Sequence, residues 1–236
     1  MLKSLNKRTK IILVFILFCY ILIFVNDFSL QNTGNKYLIV VKYSSILLCF
    51  ILTIMIGKNG HDILDTRMVQ SGLFFTACAD YCLVVSNKFI LGVVIFCIVQ
   101  IIYIFRFTRD LKSRTKIFST VLIIYIILFI TAFTAYKVVK FDLRLILICI
   151  FYGCLITTSL ITGIRTLKTN YFPLYSSVLI SIGMILFFMC DINVALFNIL
   201  QKSGSYFANI PRFLIWIFYL PAQVMLALSG YNHRKK

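Results

Sequence analysis

Gly72-Leu-Phe-Phe-Thr-Ala-Cys-Ala-Asp80 ends a run of apolar residues on a carboxylate, and Gly183-Met-Ile-Leu-Phe-Phe-Met-Cys-Asp191 repeats the pattern late in the chain. Around both stretches the sequence stays apolar for about 20 residues, the length an α-helix needs to cross a hydrocarbon core of about 30 Å. Neither shows the alternation of a barrel strand. Only closed backbone hydrogen bonding survives in lipid, so the reading is helical. An aspartate at the centre of such a helix costs roughly 2.5–3.5 kcal/mol on insertion scales, which makes Asp80 and Asp191 the first functional candidates.

The rest of the chain has the same character. Of 236 residues 61% are hydrophobic and 13% charged, with a mean hydropathy of +0.98, which excludes a soluble domain built around one core. Hydropathy predicts an all-α polytopic bundle of about eight transmembrane helices near 9–27, 37–57, 66–86, 88–108, 115–136, 143–164, 174–199 and 211–230, forming one membrane domain over 1–236. The first apolar run, Ile11 to Val25, follows Lys3, Lys7, Arg8 and Lys10 and lacks a small-x-small cleavage site, so it reads as a retained span. A bacterial inner (cytoplasmic) membrane is the expected location, from the Lys- and Ile-rich usage and the lack of a targeting segment.

The formal net charge of +17 is scattered over short loops rather than gathered on one face, which argues for membrane orientation and against a nucleic-acid partner. With the N-terminus inside, sixteen of the 24 Lys and Arg fall on the cytosolic side, Arg106 and Arg109 among them, seven fall opposite, and Lys42 lies within a span. Both termini are therefore expected in the cytosol.

All eight cysteines fall in predicted spans and read as small apolar fillers. Cys78 and Cys82 have a ligand-like i, i+4 spacing, but the two histidines, His61 and His233, lie in a loop and the tail. Neither a metal site nor a cofactor is expected. No Gly-x-Ser-x-Gly elbow, His-Glu-x-x-His or glycine-rich phosphate loop is present.

The topology predicts where the in-span charges meet. Asp80, Lys42 and Asp191 each lie five to eight residues from the outer end of their helices, at depths of roughly 7–12 Å. One shared polar site is the simplest arrangement, with Lys42 beside Asp80. Gly72, Thr76, Ala79 and Asp80 form a stripe that lets a neighbouring helix come close. Gln100 and Tyr103, Tyr152 and Ser159, and Tyr219 and Gln223 offer hydrogen-bonding groups at helical spacing on three further helices. As a bland alternative, Asp80 and Lys42 form a buried pair that fixes helix register, which leaves Asp191 unexplained. Read functionally, two carboxyls in one low-dielectric pocket make an acid and a base, suited to hydrolysis through an oxocarbenium-like state.

These stretches resemble the lysoplasmalogenase family, also called YhhN-like, of eight-span membrane proteins. The likeness rests on Gly72 to Asp80, on Phe89-x-x-Gly92 and Phe96-x-x-x-Gln100-x-x-Tyr103-x-x-Arg106-Phe107, on Gly183 to Asp191, and on Tyr219-Leu-Pro-Ala-Gln223. Lys42 falls where many members have Lys-Pro, but Tyr43 follows it, and Gln100 falls where animal members commonly have His. The resemblance covers about residues 37 to 230. It implies hydrolysis of the vinyl ether bond of a lysoplasmalogen or related lysophospholipid drawn from the lipid bilayer. Asp80 and Asp191 would be catalytic, and Lys42, Gln100, Tyr103, Tyr152, Tyr219 and Gln223 would bind substrate or support them. The rival class is a non-enzymatic transporter or lipid-binding protein that uses the two aspartates for protons or a cationic headgroup. The paired helix interruptions of many transporters are not evident.

Overall fold

The computed structural model describes residues 6–29, 36–109, 119–127, 130, 143–202 and 206–232. Among them the chain is a bundle of helices: α1 (Lys7–Ser29), α2 (Lys36–Ile54), α3 (Ile63–Asp80), α4 (Phe89–Phe107), α5 (119–127), α6 (Leu143–Arg165), α7 (Leu174–Lys202) and α8 (Asn209–Leu228). Seven of these are long and apolar enough to cross a membrane, and the protein is an integral membrane protein. The expected fifth span, 115–136, is helical over 119–127, and most of the remainder lies outside the described residues, as do His233 and many of the loop lysines and arginines.

The ends of the helices follow local chemistry. Asp62 caps α3, its side chain accepting from the Asp65 N–H at 2.6 Å. At the other end of α3 the expected continuation to residue 86 differs: Tyr81–Val85 form a π-helical turn, with the Ser86 N–H reaching back to the Tyr81 carbonyl at 2.9 Å. Asn87 then turns the chain at φ 53°, a left-handed conformation that asparagine tolerates. In α8, Pro221 cannot donate to the Ile217 carbonyl four residues earlier. The Tyr20 hydroxyl of α1 donates to that carbonyl at 3.2 Å, supplying the partner the proline removed.

Successive helices pack as neighbours from α1 to α4, α6 lies against α4 and α7, and α8 closes the arrangement against α7, α2 and α3. α1 sits outside this ring, on α2 and α8. The described part of α5 joins a small satellite core, where Tyr125 meets the Phe151 ring edge-on at 4.8 Å. The stripe expected on α3 faces inward, as Gly72, Thr76, Ala79 and Asp80 are all buried. A side chain at Gly72 would meet the Tyr103 ring at 2.8 Å, so the close approach of α3 and α4 depends on that glycine.

The described ends of the chain meet on one face. Thr9 of α1 hydrogen-bonds the Tyr231 hydroxyl at 3.3 Å, and the Asn232 N–H donates to the Asn59 carbonyl at 2.7 Å.

Candidate active site

The sequence reading placed two carboxylates in the bundle, and the structure gives each a tyrosine. Asp80, 4% exposed at the junction of α3 and the π-helical turn, accepts from the Tyr219 hydroxyl of α8 at 2.5 Å. Asp191, in mid-α7 and only partly buried, accepts from the Tyr152 hydroxyl of α6 at 2.5 Å. Tyr152 in turn receives the Gln100 amide at 3.4 Å, while the Ser159 hydroxyl donates to the Gln100 carbonyl oxygen at 2.5 Å. Gln100 is thus held by α6 from below, and its donor side is directed at the tyrosine.

The two carboxyl–tyrosine pairs lie within electrostatic reach of each other. The charge of Asp191 is felt at Asp80, and both are felt at Cys190 between them in α7. An aromatic wall joins the pairs: Tyr219 meets Phe187 at 5.8 Å, Phe187 meets Phe96 at 5.9 Å, and Phe96 meets Tyr152 at 6.2 Å between ring centroids. Phe187 lies one turn before Asp191 on the same helix, so the wall and the carboxyl approach the interior together. Four helices therefore place four oxygen-bearing groups around an apolar lining. Asp80 and Tyr219 are buried, whereas Asp191 and Tyr152 are partly exposed.

This arrangement corrects one expectation. Lys42 does not pair with Asp80; its ammonium binds Asp27 of α1, at 3.0 and 3.2 Å to the two carboxylate oxygens. α1 packs against α2, and Asp27 near the end of α1 meets the lysine. Tyr103 is buried beside the Thr76 hydroxyl, against Gly72 and stacked on Phe107 at 5.8 Å, and bonds neither carboxylate. Gln223, one turn beyond Tyr219, is fully buried, but neither its amide nitrogen nor its carbonyl oxygen has a hydrogen-bond partner.

Arg106 is not a loose cytosolic charge. It is fully buried, its guanidinium donating to both Asp65 oxygens at 2.7 and 3.2 Å and to the Ser229 hydroxyl at 2.8 Å. Beside it, Arg109 donates to both Asp62 oxygens at 3.0 and 2.9 Å, and Tyr171 donates to Asp62 at 2.8 Å. Burial disfavours the Asp62 charge, but the Asp65 N–H, Tyr171 and Arg109 outweigh it and hold the carboxyl at about 2. These two clusters clasp α3, α4 and the segments flanking α7 and α8 at the face where the described ends of the chain meet. Sequence reasoning missed them, although an arginine at the end of one apolar helix and an aspartate at the start of another were both visible.

The YhhN family matches residues 37–230, more than three quarters of the chain. The chain belongs to this family. It is the lysoplasmalogenase-like family, and the match takes in α2 to α8 but begins after α1. No curated protein and no solved structure matches the chain. As a YhhN protein, it carries Asp80 and Asp191 within the matched region, together with Tyr152, Tyr219 and Gln100.

Proposed function

We propose that the protein is a membrane-embedded hydrolase that cleaves the vinyl ether bond of lysoplasmalogens by two-carboxylate acid–base catalysis. The observation that carries this reading is the pairing of Asp80 with Tyr219 and of Asp191 with Tyr152, each at 2.5 Å, around one aromatic-lined interior. Membership of the YhhN family supports it.

Vinyl ether hydrolysis needs a proton delivered to carbon, then water added to the neighbouring carbon. One carboxyl of the pair protonates the alkenyl carbon remote from oxygen, leaving an oxocarbenium ion. The other carboxylate stabilises that cation and accepts a proton from the water that attacks the ether carbon. The hemiacetal so formed breaks its bond to the glycerol oxygen, which takes up a proton, and a fatty aldehyde and a glycerophospho-headgroup leave. Without Lys42 beside Asp80 the charge is not pinned to that residue, and the proton belongs to the pair. Tyr219 and Tyr152 hold the two carboxyls in position, and the aromatic wall accommodates the alkenyl chain and shields the cation from bulk water.

The test is aldehyde release from an alkenyl lysophospholipid by purified protein, beside folded Asp80→Asn and Asp191→Asn variants. Release by the parent and by neither variant is expected. No release by intact protein across several headgroups and pH values would overturn the assignment in favour of lipid binding or transport.

A further inference from the structure

At the end of the bundle opposite Thr9 and Tyr231, α1 and α8 flank a small groove lined by Tyr20, Ile23, Phe24, Phe213 and Ile217, with Asp27 and Trp216 along it. Lys42 binds Asp27 there, the two side chains being 13% and 9% exposed. Arg212, one turn before Trp216, lies within electrostatic reach of both Lys42 and Asp27. Two cations thus surround one carboxylate, and the cluster keeps a net positive charge. The Lys42 ammonium also stands 5.1 Å over the Trp216 ring.

From this rim a short path leads to the carboxylates. Trp216 meets Tyr219 edge-on at 5.6 Å between centroids, and the Tyr219 hydroxyl bonds Asp80 at 2.5 Å. Along α8, Trp216 and Tyr219 differ by about 4.5 Å of helical rise. Trp216 thus bridges the cation cluster and the Tyr219–Asp80 pair, touching the Lys42 ammonium on one side and the Tyr219 ring on the other.

We propose that Lys42, Arg212 and Trp216 form a headgroup site for a lysophospholipid, whose phosphate takes the place of the Asp27 carboxylate on Lys42. A doubly bonded carboxylate on a lysine is the geometry a phosphate would adopt, and the surplus positive charge selects an anion. Asp27 lies on α1, before the family-matched region, and acts as a built-in competitor that occupies the Lys42 ammonium in the empty site. The inference rests on the hydrolase reading for the identity of its ligand.

Trp216 is the only tryptophan in the chain, so intrinsic fluorescence reports on this site alone. Purified protein in a maltoside detergent is titrated with a non-hydrolysable 1-O-alkyl lysophosphatidylcholine and, in parallel, with the 1-O-alkylglycerol of the same chain length. A saturable change with the phospholipid and none with the alkylglycerol is expected. Lys42→Gln and Arg212→Gln should each weaken binding about tenfold, equivalent to about 1.4 kcal/mol, whereas Asp27→Asn should tighten it by a similar factor. That opposite sign separates ligand competition from a structural ion pair, in which loss of either partner acts alike. An equal response to alkylglycerol, or weaker binding by Asp27→Asn, overturns the site. Asp80→Asn should keep the titration while losing turnover. Aldehyde release whose KM ignores Lys42 and Arg212 overturns the headgroup site and leaves the hydrolase standing; the stated titration in a protein that releases no aldehyde overturns the hydrolase and leaves the lipid site standing.

Discussion

Asp80 and Asp191 differ in their surroundings more than in their chemistry, and substitutions at their partners separate the two. Removing the Tyr219 hydroxyl leaves Asp80 without its donor in a closed site. A hydrogen bond to a charged group contributes about 1.5–3 kcal/mol, so Tyr219→Phe should lower turnover about 10- to 100-fold by aldehyde release while the protein stays folded. Tyr152→Phe should act in the same direction at Asp191, and Gln100→Leu more weakly, because Gln100 touches the carboxyl only through Tyr152. Since one carboxyl must be protonated and the other ionised, kcat/KM should trace a bell against pH in the parent, with one limb lost in any active Asn variant. A flat profile would remove the carboxyl pair from the mechanism. Gln223, buried with an unused amide, has no such partner to lose, and its substitution by Leu should cost activity only if the amide meets substrate or water.

Between elements, stability rests on polar contacts placed where backbone or charge would otherwise be stranded. Breaking a fully buried ion pair by removing one partner costs roughly 3–5 kcal/mol, so Asp65→Ala, which leaves the Arg106 guanidinium uncompensated, should be among the most destabilising single changes. Thermal unfolding in detergent reads it directly, and a melting temperature within a degree of the parent would refute the clasp. Tyr20→Phe should cost about 1–3 kcal/mol by the same assay, since it strands the Ile217 carbonyl freed by Pro221. Restoring the backbone donor with Pro221→Ala in the same chain should recover part of that loss. These contacts were hidden in the sequence because each joins residues far apart along it: the Tyr20 bond spans 197 positions and the Arg106–Ser229 bond 123.

For the molecule as a whole, the Asp62 clasp predicts a pH dependence of stability with a defined sign. Its carboxyl sits at about 2 in the folded protein against 3.8 for the free group, so the charged form is favoured by folding. That contribution is complete above about pH 4 and is lost as pH falls toward 2. Asp62→Asn should lower the melting temperature at neutral pH, where the contribution is complete, and flatten the acid limb so that variant and parent converge as pH falls toward 2. Topology gives a second whole-molecule prediction: reporter tags on the two termini should be accessible from the same side of the membrane, the cytosolic one by the charge bias. The sequence by itself determined the helical membrane fold, because backbone groups in lipid have no alternative to helices once 20-residue apolar runs are present. It also determined the two carboxylates, since charge inside such a run is rare enough to stand out. Only the tertiary structure decided their partners. Whether Lys42 reached Asp80 or Asp27, and whether Arg106 faced water or Asp65, depends on which helix faces meet, and side-chain pairing between distant segments is fixed by packing rather than by depth along one helix.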